Sequence, residues 1–222
     1  MPSKRPSSAK TPSQSAGNAA AASTPDPDSL HSFPNATAWE QWLEQHHTTS
    51  GFIWVQFTKT SPAKGSGATV TNSALFTHPQ ALEIALCFGW IDGQKQRVDE
   101  LTWAQKFGPR GPRSIWSVKN RDAAEKLIAA GRMRPAGHAA IEHAQANGAW
   151  DSAYLGPSKS TVPEDLQAAL DAHPAAAAFF KTLSSQNRYA ILFRLQTAKK
   201  PETRQVRLQK FVQMLLEGKT LH

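Results

Sequence analysis

The chain has 222 residues, 40% hydrophobic and 19% charged, with 25 Lys and Arg against 17 Asp and Glu for a formal charge of +8. The single Cys87 excludes an intramolecular disulfide framework and any Cys-rich zinc site, and it points to a reducing compartment, the cytoplasm, with the nucleus as alternative. No apolar run approaches the roughly 18 residues of a spanning helix, and residues 1–30 carry no apolar core of a secretory signal.

Residues 1–30 are Ser-, Pro-, Ala- and Thr-rich, with Lys4, Arg5 and Lys10 as scattered charges. Such a composition cannot bury enough apolar surface to offset the entropy of ordering, so it predicts a disordered tail. From Phe33 the pattern changes. Thr37 and Glu40 have the spacing of a capping box, followed by Trp39, Trp42 and Leu43 on one helical face running to about His47. FIWVQFTK (52–59) reads as a strand buried on both faces, residues 61–68 as a loop, and about 77–87 as a helix with Pro79 in its first turn.

Residues 90–98 and 102–107 flank a short polar turn and predict a β-hairpin, with Gly93 marking a bulge. After the basic turn GPRGPRS (108–114), Ser117 predicts the N-cap of a helix over about 118–130 closed by Gly131, and Pro135 opens another ending at Gly148. All seven Trp residues fall between 39 and 150, which assigns this stretch one aromatic core. Beyond the 156–160 linker come four Ala-rich helical segments: 163–173, 174–183, about 186–198 and about 202–217. In the last, Leu208, Phe211, Val212 and Leu215 repeat at helical spacing. The expected fold class is α+β: a small antiparallel sheet with packed helices over 31–155, then an all-helical unit over 156–222.

Two stretches carry a resemblance. CFGWIDGQKQRVDELTWAQKFGPRGPRSIWSVKNRDAAEKLIAAGRMRPAG (87–137), and 162–219 with its AKKPETR segment, resemble the YdeI/OmpD-associated, or bacteriocin-protection, family. The resemblance spans roughly 33–219, and the 60–76 loop is longer than the family's usual run. It implies a protein associated with tolerance of bacteriocins and cationic peptides or with an outer-membrane porin. It supplies no reaction, cofactor or catalytic residue.

The residues themselves nominate one anion site. Arg110, Arg113, Ser114, Ser117 and Asn120 bring two guanidinium groups and two hydroxyls to the start of a helix, where free N–H groups attract phosphate, sulfate or carboxylate. Trp90 and Asp92 of GWIDG are expected beside it, and Arg204, close to the apolar stripe of its helix, is expected in an ion pair or in the site. The alternative is that Ser117 only caps the helix while Arg110 and Arg113 pair with Asp92, Asp99 or Glu100.

Other constellations are weaker. Asp92 and Asp99 would face opposite sides of one strand unless Gly93 bulges it. Cys87 at a helix C-terminus reads as a small core group rather than a nucleophile. His138, Glu142 and His143 match no zinc motif, so neither metal nor cofactor is expected. Residues 106–134 and 186–222 each hold eight Lys and Arg against two acids. The leading expectation is therefore a small anionic ligand, with no membrane insertion. Weak, salt-sensitive nucleic-acid binding through the basic segments is the rival.

Overall fold

The chain opens, in the described residues, on a two-residue strand, β1 (Leu30–His31), and α1 (Ala36–His46). This is a computed structural model, and the structure describes residues 30–59 and 76–222. The expected disordered tail over 1–30 lies outside those residues except at Leu30, which the structure instead places in β1, and the expected loop over 61–68 lies outside them. Asn35, not Thr37, starts α1: its side-chain Oδ1 accepts from the Ala38 N–H at 2.9 Å. The expected capping box thus gives way to an Asn cap two residues earlier, and Glu40 instead accepts from Arg134 at 3.1 Å.

β2 (Ile53–Thr58) has four of its six residues buried, as its β-branched and aromatic density requires. α2 (His78–Cys87) begins at Thr77, whose backbone N–H and hydroxyl both donate to Gln80 Oε1 at 2.9 and 2.8 Å. β3 (Trp90–Arg97) and β4 (Thr102–Pro109) form the hairpin. Its register shifts between Asp92 and Lys95, so the irregularity takes in the expected Gly93 together with Gln94, and Gln105 Nε2 spans it by donating to the Gly93 carbonyl at 2.8 Å. Asp99 closes the turn by accepting from the Leu101 and Thr102 N–H groups, each at 2.7 Å. The sheet order is β1-β2-β4-β3. The three long strands are antiparallel, but β1 joins β2 in parallel, so the sheet is mixed rather than wholly antiparallel.

α3 (Val118–Ala129) is capped by Ser117, whose Oγ accepts from the Asn120 N–H at 3.2 Å, and ends before Gly131 at φ +66°. α4 (Pro135–Ala146) follows. These helices and the sheet enclose one apolar cluster around Trp39, Val55, Phe57, Trp90, Phe107 and Trp116. The remaining helices, α5 (Glu164–Asp171), α6 (Pro174–Thr182), α7 (Ser185–Gln196) and α8 (Pro201–Leu216), bury a second cluster. Leu208, Phe211, Val212 and Leu215 supply α8's share of it, as their spacing predicts.

Side chains of α7 hold the connecting segment. Gln196 accepts from the Leu155 N–H at 2.9 Å and donates to Ser160 Oγ at 3.0 Å, while the Tyr189 hydroxyl donates to the Leu155 carbonyl at 3.1 Å. The Tyr154 ring meets Phe193 edge-on, with centroids 4.9 Å apart. No helix among the described residues is long and apolar enough to cross a membrane.

Candidate functional site

Arg110 lies immediately beyond β4, where its backbone N–H extends the hairpin ladder by donating to the Gly89 carbonyl at 2.9 Å. Its guanidinium lies over the Trp116 ring, 3.5 Å from the centroid, and Nη1 donates to the Ile115 carbonyl at 3.1 Å. The other two nitrogens, Nε and Nη2, are buried without a hydrogen-bond partner. Arg121, Arg134 and Arg188 also bury an unpaired Nε, yet the first two pair with carboxylates and Arg188 donates to the Lys181 carbonyl. Among the described residues Arg110 is the arginine with two buried donors unmet and no carboxylate in contact. Burial pushes its guanidinium down to about 10, an effect that Tyr154 and Asp92 offset only in part. The protein therefore holds this charge at an energetic cost.

A cavity of about 370 Å³ adjoins it. Phe88, Trp90 and Trp116 form aromatic walls, and the small side chains of Ala136, Ala140 and Ala144 form the α4 side. Arg110, Ser114, His47 and His143 supply the polar groups. Trp90 is buried and fixed by donating its indole N–H to the His47 carbonyl at 3.2 Å, so it acts as a rigid wall.

Glycines bring α4 close enough to form that wall. Gly89 has φ +71°, and a Cβ there would come within 2.7 Å of the Ala136 carbonyl oxygen. A Cβ on Gly137 would collide with the Cys87 carbonyl and Met133 Sδ. The GWIDG and GRMRPAG segments are thus two sides of one close backbone contact, sealed by the Arg134 N–H donating to the Cys87 carbonyl at 3.1 Å.

The structure gathers only part of the predicted constellation here. Arg110, Ser114 and Trp90 line the cavity. Ser114 Oγ accepts from the Gly111 N–H at 3.0 Å, which tightens the basic turn. Arg113 is exposed and without a partner among the described residues; neighbouring Pro112 faces the cavity. Ser117 is committed as a cap, and Asn120 lines a different pocket, between α2 and α3. Arg204 sits in the second cluster, where Nε and Nη2 donate to Asp165 at 2.7 and 2.8 Å and Nη1 donates to the Leu195 carbonyl at 2.7 Å. It therefore makes the expected ion pair and does not line the Arg110 cavity.

Asp92 is half-buried but pairs with His78, 3.0 Å from its Nε2, and neither arginine of the turn forms an ion pair with Asp92, Asp99 or Glu100. His78 was silent in the sequence because it is fourteen residues away and its ring packs among Phe57, Trp103 and Phe107. Tyr154 likewise gave no signal, although its N–H and carbonyl pin the α3 start by bonding Trp116 O and Val118 N, both at 2.9 Å. Burial pushes the Cys87 thiol up, and it donates weakly to the Glu83 carbonyl, in keeping with a core role. Among the described residues no group of three or more His, Cys, Asp or Glu could hold a metal ion.

A mixed sheet under helices, an arginine-walled cavity and an appended helical cluster define an α+β protein with a ligand-sized pocket. Residues 159–218, which hold the four C-terminal helices, match the family described as Bacteriocin-protection, YdeI or OmpD-Associated. Residues 31–140, which hold most of the cavity lining and the first of the two resembling stretches, match a separately described family, Domain of unknown function (DUF8412). No curated protein and no solved structure matches the chain.

Proposed function

We propose that the chain is a binding protein for a small anionic ligand, held in the Arg110 cavity. The observation that carries this reading is the pair of unmet donors on a buried guanidinium. Buried polar groups are almost always satisfied, and one bidentate carboxylate or phosphate oxygen pair would satisfy both. The aromatic walls favour a ligand with a planar apolar body behind the anionic group. Nε and Nη2 face away from solvent, so entry swings the guanidinium partly off Trp116. The stacking given up, about 0.5–2 kcal/mol, is comparable to what a charge-assisted hydrogen-bond pair returns.

The YdeI/OmpD-associated domain supports a role in bacteriocin or stress tolerance, with ligand binding in the first part of the chain and the helical domain attached to it through Tyr154, Leu155 and Gln196. The nucleic-acid reading has less support. Of the sixteen basic residues in the two segments, Arg121, Arg132, Arg134, Arg204 and Lys219 already pair with carboxylates, which leaves fewer free charges for phosphate contacts. Native mass spectrometry of freshly purified protein tests the proposal. A co-purified anionic small molecule released by Arg110→Ala supports it, and a co-purified oligonucleotide in its place overturns it.

A further inference from the structure

We infer that a second pocket, independent of the Arg110 cavity, takes a linear carboxylate with an apolar tail, of the medium-chain fatty-acid class. It lies between α2 and α3 and has a volume of about 390 Å³. Pro79, Leu82, Glu83 and Leu86 contribute one side, spaced as one face of α2. Lys119, Asn120, Ala123, Lys126, Leu127 and Ala130 contribute one continuous face of α3. Eleven steps from 119 to 130, at about 1.5 Å each, give an elongated slot roughly 16 Å long. A chain-like molecule fits such a slot better than a disc.

The floor is apolar and the rim is basic. Leu82, Leu86 and Leu127 are buried at its base, whereas Lys119, Lys126 and Arg132 stand exposed around it. Glu83, the one acid lining the slot, is already engaged by Arg132. Lys119 and Lys126 have no carboxylate partner among the described residues, and seven residues apart they project from the same helix face. Lys119 also sits in the first turn of α3, where the helix dipole adds to its positive field. The carboxylate head therefore belongs at the Lys119 end, with the tail along Leu127 and Leu86. A slot of this volume holds one small molecule, and the charge of its rim selects an anion.

Octanoate, octanol and octylamine, titrated into the full chain and followed by amide chemical shifts, test this directly. Octanoate should perturb Leu82, Leu86, Ala123 and Leu127, and octylamine should bind at least tenfold more weakly. The Lys119→Glu/Lys126→Glu double variant, altered only at exposed positions, should weaken octanoate at least tenfold as read at Leu82, Leu86 and Leu127, and those same shifts should persist in Arg110→Ala. Equal binding of octanoate and octylamine overturns the inference, as do perturbations confined to the Arg110 cavity. Sedimentation showing that the slot is instead closed by a second copy of the chain overturns it too.

Discussion

Arg204 grips Asp165 at two points, Nε to Oδ2 at 2.7 Å and Nη2 to Oδ1 at 2.8 Å, while its third nitrogen, Nη1, donates to the Leu195 carbonyl. One side chain thus ties the start of α5, the end of α7 and the start of α8. About a third of each partner's side chain remains exposed, so the pair lies between surface and buried ion pairs in strength. Arg204→Ala should cost about 1–2 kcal/mol in a denaturant melt, and Arg204→Lys should recover only part of it because a single ammonium cannot form the fork.

Two carboxylates contribute to the acid limb of stability. Hydrogen bonds from Arg204 hold Asp165 below the usual carboxylate range, and hydrogen bonding by the Thr102 hydroxyl and the Leu101 N–H does the same for Asp99. With folded values depressed, each contributes stability that is fully present above its unfolded value of about 3.9 and is lost as pH falls through the folded value. Carboxyl titrations by NMR should find both midpoints below that value, and Asp165→Asn should flatten the loss of stability below about pH 4.

Gly137 and Gly111 should respond oppositely to the same substitution. A Cβ at Gly137 strikes backbone and the Met133 sulfur, so Gly137→Ala should destabilise by about 3 kcal/mol and distort the cavity wall. Gly111 has nothing within 4 Å of its built Cβ and no positive φ. Gly111→Ala should therefore leave stability unchanged or raise it by about 0.5 kcal/mol through the unfolded chain. Paired thermal melts check the contrast.

Helix caps separate what sequence spacing revealed from what it hid. Ser117→Ala and Asn35→Ala should each cost about 1 kcal/mol, and Thr37→Ala should cost little, in chemical denaturation. Ser117 was legible because a basic turn ended abruptly in front of a helical pattern. Asn35 was hidden by Pro34 and by the more familiar Thr37–Glu40 spacing, which served a tertiary partner, Arg134, ninety-four residues away.

The same division runs through the candidate site. The hairpin, its irregularity at Gly93, the α2 to α4 helices and the four C-terminal helices were readable because each depends on local periodicity and turn chemistry. The parallel pairing of β1 depends on a partner more than twenty residues distant and on a strand of two residues, too short to show a period. Arg110 and Arg113 are indistinguishable in the repeat GPRGPR. Only the fold turns one onto Trp116 and leaves the other in solvent. Asp92 was expected to face that turn, but its partner His78 comes from the first turn of α2, a choice made by packing among aromatic rings.

The Arg110 cavity is tested most directly by thermal-shift titration of the parent, Arg110→Ala and Arg113→Ala with benzoate and with phosphate. A bound anion at about 100 times its dissociation constant stabilises by roughly 2.7 kcal/mol, which is several degrees for a chain of this size. The parent and Arg113→Ala should both shift with benzoate. Arg110→Ala should lose the shift while keeping its unliganded stability within about 1 kcal/mol, because the substitution removes a stacking contact together with a charge held at a cost. A parent that responds to neither anion, or an Arg110→Ala variant that responds as the parent does, would contradict the anion-binding role of Arg110.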